Sequence, residues 1–214
     1  KHDAPTREER NTAEFIRANT VRSLAISMLN TRFSEILSKE NPPYLGAGVG
    51  YADYGTSQTK KSFNVSVTCK KEQIMQAIPM VYTEVERARR FGFTESEFNR
   101  LKKSMIAGMD TWYAERDKRT NDYHAENCIR HFLDNEPIPG IANEYAIINQ
   151  LAPNIPVEAI NSILPQLIKD ENIVINIFGP DKEGMVYPTE EEILDILKNT
   201  KAEEITAYVD KVSD

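Results

Sequence analysis

The sequence predicts a layered α+β fold, in which a mixed, mostly antiparallel sheet is covered by helices on one side. Three observations carry that expectation. Two alternating apolar runs lie close together between residues 45 and 69, helical-period stripes flank them, and one short apolar run returns near residues 172–180. With 214 residues and 40% apolar content, the chain can bury one sizeable core.

The elements follow in order. Thr6 and Glu9 form a capping box just after Pro5, and Val21, Leu24, Ala25, Met28, Leu29, Phe33, Ile36 and Leu37 recur at helical spacing. A long amphipathic helix is therefore expected from about residue 6 until Pro42 and Pro43 stop it. Leu45, Ala47, Val49 and Tyr51 alternate with Gly46, Gly48 and Gly50, a strand with one bare face that implies close approach of another element. Phe63, Val65, Val67 and Cys69 alternate in turn, so the two runs read as an antiparallel hairpin.

A helix is expected from about Lys71 to Arg90, with Pro79 either kinking it or marking its first turn. It ends at a corner. Gly92 supplies the conformation that closes one helix, Thr94 and Glu97 form the capping box that opens the next, and Phe93 with Phe98 occupy the staple positions. Phe98, Leu101, Met105, Met109 and Trp112 continue as a stripe, and the period resumes with Tyr123, Ile129 and Phe132, as one bent helix or as two. Short helices over Ile141–Leu151 and Val157–Lys169 precede a closing strand over residues 172–180. Residues 1–180 read as one domain and 181–214 as a charged helical linker, its apolar residues too sparse for a core element.

Charge and composition exclude several functions. A formal charge of −7 argues against nucleic acid as the main partner. Arg87, Arg89, Arg90 and Lys102, Lys103 sit among glutamates and read as solvated helix faces. No apolar run approaches the roughly 20 residues of a membrane span. Cys69 and Cys128 are the only cysteines and read as two buried thiols, with a bridge between them left open.

Candidate chemistry is thin. His124 and His131 are seven residues apart on an expected helix, about 10.5 Å of rise, too far for both to reach one zinc at 2.0–2.1 Å. Glu126 falls on another face, so neither H-E-x-x-H nor H-x-x-E-H is formed. Cys128 lies one turn from His131 without any motif, and the glycines at 46, 48 and 50 lack the Lys-Ser/Thr ending of a phosphate loop. The carboxylates Glu115 and Asp117 belong to a solvated surface. No catalytic, cofactor-binding or metal-binding residue is assigned.

The order of motifs adds a further reading. "MLNTRFSEIL", "NPPYLGAGVGYADY", "FNVSVTC", "EVERARRFGFTESEFNRLKKSM", the run through "NEPIPGIANEYAIINQL" and "DENIVINIFGPDK" together resemble a non-catalytic domain of the pitrilysin and insulysin type of zinc metallopeptidases, the inverzincins. Within that family the likeness is to bacterial zinc proteases of the pyrroloquinoline-quinone-biosynthesis-protease type, over about residues 20–182. The resemblance implies a metalloprotease or mitochondrial-processing-peptidase-like fold, with homologous domains closing as a clamshell around a chamber. It implies zinc in the parent's catalytic domain, held by an H-x-x-E-H motif and a later Glu, and peptide hydrolysis by the parent. No H-x-x-E-H occurs here, so no zinc ligand or catalytic base carries over.

The expectation is therefore a catalytically silent, chamber-lining domain of a bacterial zinc metalloendopeptidase, N-terminally truncated and missing its first strands. Its partners would be other domains of the same polypeptide and, in the parent, a peptide substrate. Resemblance suggests the periplasm or cell envelope of a Gram-negative bacterium. Two other functions fit the residues: a non-peptidase assembly subunit of the same fold, or a peptide-binding module that uses the glycine-rich strand as an edge.

Overall fold

The computed structural model describes residues 2–10, 12–57, 59–134 and 136–210. The α+β class is as expected: an antiparallel sheet packs beneath helices. The elements are β1 (His2–Asp3), α1 (Arg7–Arg10), α2 (Ala13–Leu37), β2 (Gly46–Asp53), β3 (Lys60–Thr68), α3 (Ile74–Phe91), α4 (Glu95–Ala114), α5 (Asn121–Asp134), α6 (Ile141–Leu151), α7 (Val157–Leu167) and α8 (Glu190–Ala202).

The expected first helix is two. The Thr6 and Glu9 box does form, with the Thr6 N–H donating to Glu9 Oε2 at 2.6 Å. A second start follows at once, because the Thr12 hydroxyl accepts from the Phe15 N–H at 3.1 Å and begins α2 afresh. α2 then buries Val21, Leu24, Ala25, Met28, Leu29 and Phe33, all within the predicted stripe.

β2 and β3 form the predicted hairpin, in register from Gly46 opposite Thr68 to Asp53 opposite Lys61. The sheet order is β1-β3-β2, and β1 is a pairing that the alternation rule does not detect in two residues. Among the described residues the sheet is antiparallel throughout. The expected closing strand does not join it: residues 173–180 carry no strand assignment, and Ile173, Val174, Ile175, Ile177 and Phe178 are exposed. Apolar alternation marks a segment able to pair, but a strand needs a neighbour to complete its ladder.

The core lies between the sheet and the helices. Val49 joins α2, α3 and α7 residues there, while Tyr51, Phe63 and Val67 pack against it from the same sheet face. Tyr44 is wholly buried, and its hydroxyl donates to the Phe33 carbonyl at 2.9 Å. Pro79 lies inside α3, past its first turn, where it removes the hydrogen bond owed to the Met75 carbonyl near the exposed Met75 side chain.

Helices α4 and α5 are separate, joined through a short 3-10 turn at Arg116–Lys118. Of the stripe predicted for α4, Phe98 is buried, while Leu101 and Met105 are partly so. α5 departs further: Ile129, Phe132 and Leu133 face solvent, with Phe132 at 83% exposure. Periodicity predicts that a face is apolar, not that another element covers it.

The tail packs more closely than its sparse pattern suggests. α8 runs along α3, buries Ile193 and Thr200, and is followed by a buried Ile205.

The corner between α3 and α4 forms as read. Gly92 sits at φ 70 and ψ −156, a region open essentially to glycine alone, and its N–H closes α3 on the Ala88 carbonyl at 2.8 Å. A Cβ there would also lie 2.4 Å from the Asn161 side chain. Phe93 and Phe98 are both buried in the core.

Gly92→Val is expected to lower stability by about 2–4 kcal/mol, from backbone strain and displacement of Asn161; urea unfolding checks it, and an unchanged midpoint would refute the structural role of the corner. Burial, then the nearby Glu84 charge, pushes the Tyr44 pKa up from 10.0 to about 12. Its folded-state pKa is raised, so its contribution is intact below about pH 10 and is lost as pH rises toward about 12, where the unfolded chain sheds the proton first. Unfolding titrations of wild type and Tyr44→Phe across that window should show a shallower alkaline loss in the variant.

Candidate functional site

The chain's polar interior converges on Arg32. Its position in α2 lies within the apolar stripe, one turn beyond Met28, and the side chain is 1% exposed. The guanidinium grips Glu97 with both arms, Nε to Oε1 at 2.7 Å and Nη2 to Oε2 at 2.9 Å. Nη1 reaches Glu84 at 3.3 Å and Nη2 the Gly92 carbonyl at 3.0 Å. The rings of Phe93 and Tyr208 lie against it at 4.7 and 4.2 Å. A planar fork suits this work where a lysine would not.

Glu97 serves two structures at once. Its Oε2 accepts from the Thr94 N–H at 2.8 Å, completing the capping box, while both oxygens hold Arg32. From α7, Asn161 grips the next residue of the corner, its Oδ1 accepting from the Phe93 N–H at 2.8 Å and its Nδ2 donating to the Phe93 carbonyl at 3.1 Å.

The arginines read as a solvated face are mostly engaged. Arg89 and Arg90 both pair with Glu86, which is fully buried, and Arg87 pairs with Glu84. Arg87 and Arg90 also donate to the carbonyls of Thr206, Glu203 and Lys201, tying the tail to α3. Arg100 and Ser96 hold Asp210, and the Tyr208 hydroxyl donates to Glu35. The physical reason is a buried carboxylate: Glu86 cannot leave water unpaired, so cations that the sequence offers to solvent turn inward.

His124, Glu126 and His131 all lie on exposed α5. His131 Nδ1 sits 2.6 Å from the Glu136 carbonyl, His124 meets Tyr123 edge-on, and Glu126 approaches Arg130. These residues do not fit a zinc, and no group of three or more His, Cys, Asp or Glu side chains suited to a metal occurs among the described residues. Cys69 and Cys128 are both free thiols with no bridge between them, but the burial expected of them is corrected: Cys69 is half-buried and Cys128 exposed. Burial raises the Cys69 pKa and so lowers its thiolate content.

What the fold does present is a bare sheet face. α2 covers the side bearing Val49, and the opposite side carries Gly46, Gly48 and Gly50 across from Thr68, Ser66 and Asn64. A Cβ at Gly46 or Gly50 would meet nothing within 4 Å, and Asn64, Ser66 and Thr68 are exposed. The close approach expected at the glycines occurs at Gly48 alone, where Asn30 Oδ1 lies 3.4 Å from a Cβ position. The patch is flat, uncharged and small-grained.

The outer edge of β2 is not open along its length. Asn30 of α2 donates through Nδ2 to the Val49 carbonyl at 3.0 Å and accepts the Val49 N–H on Oδ1 at 2.8 Å. That side chain occupies the place where an added strand would bond, which weighs against a peptide-binding edge there.

Comparison with known proteins gives the same class. No family model matches. A protein described as zinc protease PQQL-like from Arabidopsis thaliana is 27% identical over 127 residues, 50% of this chain and 13% of that protein. In fold, the chain is similar to the first half of the periplasmic protease PqqL from Escherichia coli, with TM-score 0.79 and 17% identity over 93% of this chain and 42% of that one. A predicted insulinase family protease from Yersinia pestis gives TM-score 0.73 and 14% identity, over 88% of this chain and 40% of that one.

The chain thus resembles pitrilysin- and insulysin-type zinc proteases in sequence and in fold. It spans 13% of the length of the curated relative.

Arg32→Met would leave Glu84 and Glu97 buried beside an apolar chain and is expected to cost about 3–5 kcal/mol, with Arg32→Lys losing part of that. Equilibrium urea unfolding checks both, and a loss no larger than that of an exposed arginine would refute the hub.

Proposed function

We propose that the chain is a catalytically silent domain of a bacterial zinc metalloendopeptidase, and that its bare sheet face lines the chamber in which the parent holds peptide. The observation that carries this reading is the asymmetry of the sheet. One face is covered by α2 around Val49, whereas the other, from Gly46–Gly50 across to Asn64–Thr68, shows glycines and small polar side chains, with the Lys60–Asp3 ion pair at its far end. Such a wall can lie beside many peptide sequences without selecting one. It offers backbone and hydroxyl groups to hydrogen-bond and no large side chain to obstruct. The likeness to a zinc protease and to two solved protease structures supports the parent's class.

On this reading the parent's zinc resides in another domain, whose metal would polarise the peptide carbonyl and activate water. This chain's part is mechanical: Arg32 and the corner keep the wall's shape. The periplasm or cell envelope is the proposed compartment, by likeness to the periplasmic protease PqqL. The final segment from residue 181 is proposed to lead toward a following domain.

The test uses the isolated chain and the parent side by side. After dialysis, the isolated chain is expected to hold no stoichiometric zinc by elemental analysis and to leave a quenched fluorescent peptide intact. One tightly held zinc with chelator-sensitive cleavage would overturn silence. In the parent, Ser66→Trp on the open face is expected to reduce kcat/KM on that peptide by about tenfold, mostly through KM, with zinc content and melting temperature unchanged. Unchanged kinetics would remove the chamber wall from the proposal.

A further inference from the structure

Residues 203–210 carry no helix or strand, and they touch α3, α2 and α4 in turn. Two kinds of contact hold them. The first reads the backbone: Arg90 donates to the carbonyls of Lys201 and Glu203 at 2.7 and 3.1 Å, and Arg87 donates to that of Thr206 at 3.0 Å. Every residue has a carbonyl, so these bonds fix the path of a chain and leave its sequence free.

The second kind reads side chains at three positions. Ile205 is buried, and Tyr208 lays its ring 4.2 Å from the Arg32 guanidinium while its hydroxyl donates to Glu35. Asp210 accepts from Arg100 Nη1 and Nη2 at 2.6 and 3.1 Å and from the Ser96 hydroxyl at 2.6 Å, and its side chain is 9% exposed. A guanidinium that takes both oxygens of a carboxylate specifies an acid and its orientation. An aliphatic residue, a phenol three positions on and an acid two beyond that are thus each met by a matching partner.

The groove stands without the segment that fills it. Arg87 is paired with Glu84, Arg90 with Glu86, and Arg32 with Glu84, Glu97 and the Gly92 carbonyl, all within α2, α3, α4 and the corner. These three arginines keep their carboxylates when the segment leaves, so no cation among them is stranded. Undocking bares one face of the Arg32 guanidinium and returns Arg100, whose side chain is already 36% exposed, to water. Charge favours the docked state, since Glu203, Glu204 and Asp210 lie along a groove that bears Arg87, Arg90 and Arg100. A short segment held by so few buried side chains opens at lower free energy than the core beneath it.

We propose that the groove is an exchangeable binding site for an extended acidic segment, occupied here by the chain's own residues 203–210, which dock and undock as a unit while α2, α3 and α4 stay folded. The pattern it reads is aliphatic-x-x-Tyr-x-Asp, present as Ile205, Tyr208 and Asp210. Docked, the segment covers the cation on which the corner depends. Undocked, it leaves arginines and an apolar seat open to another chain with the same pattern, bound by extended backbone and spaced anchors. Nothing in this site depends on whether the parent cleaves peptides.

The probe is a labelled peptide with the sequence of residues 201–210, KAEEITAYVD, added to the 214-residue chain. Ile205→Ser with Tyr208→Ala releases the resident segment and spares the groove. Fluorescence anisotropy is expected to show the peptide binding this double variant at least about tenfold more tightly than wild type, where the resident segment competes. Peptides that carry alanine in place of the tyrosine or of the aspartate are expected to bind at least about tenfold more weakly. A second measurement uses wild type alone and decides the matter even if the variant unfolds. Chymotrypsin is expected to cut after Tyr208 at a rate nearly flat in urea below the unfolding transition, with cuts after Phe33, Phe93 and Phe98 only as the chain unfolds. Cleavage after Tyr208 that tracks global unfolding overturns the proposal, as does a folded variant that ignores the peptide or binds the altered peptides equally well. A wild-type dimer abolished by the double substitution would give the groove to a second copy and overturn its occupancy by the same chain.

Discussion

The guanidinium of Arg32 is the point on which the rest of the chain depends. One planar cation, sealed from water, is shared by carboxylates from α3 and α4, by the carbonyl of Gly92 and by two aromatic rings. An isolated buried charge would be ruinous, so its partners must arrive together. α2 is thereby joined to both helices that meet at the corner and, through Tyr208, to the end of the described tail. Apolar packing alone would let those helices slide; a five-donor fork specifies where each must stop.

Much of this was readable in the linear sequence, for local reasons. Gly92, Thr94 and Glu97 announce a helix junction within six residues, and the hairpin of β2 and β3 follows from strict alternation. What stayed hidden was non-local. Arg32 stands in register with Met28 and Leu29, and a cation inside an apolar stripe was the available signal that two carboxylates waited elsewhere. Glu84 and Glu86 look like ordinary surface residues until the arginines around them are placed. Asn30 and Asn161 bond to backbone far away in sequence, and no pattern of residue types reveals such a partner.

Two of the misreadings, the closing strand and the apolar face of α5, have one cause. Periodicity reports what a segment could bury, while burial itself is a property of pairs of segments. Residues 173–178 and Ile129, Phe132 and Leu133 satisfy the first condition and not the second. Both surfaces lie away from the Arg32 hub, so the centre of the fold is self-sufficient where its margins are not.

Asn30 has a consequence for motion. A primary amide holds its carbonyl and its NH2 group in one plane, and turned edge-on it offers an acceptor and a donor as a peptide unit does, so α2 meets β2 at Val49 as though it were, for a single residue, a neighbouring strand. Hydrophobic contact is tolerant of small translations, but this pair of bonds is not. The helix is indexed to the sheet like a pin in a rack, and any creep along its axis must break both bonds before new packing can form. Neither aspartate, which cannot donate, nor leucine, which can do neither, would hold that index despite their similar shape.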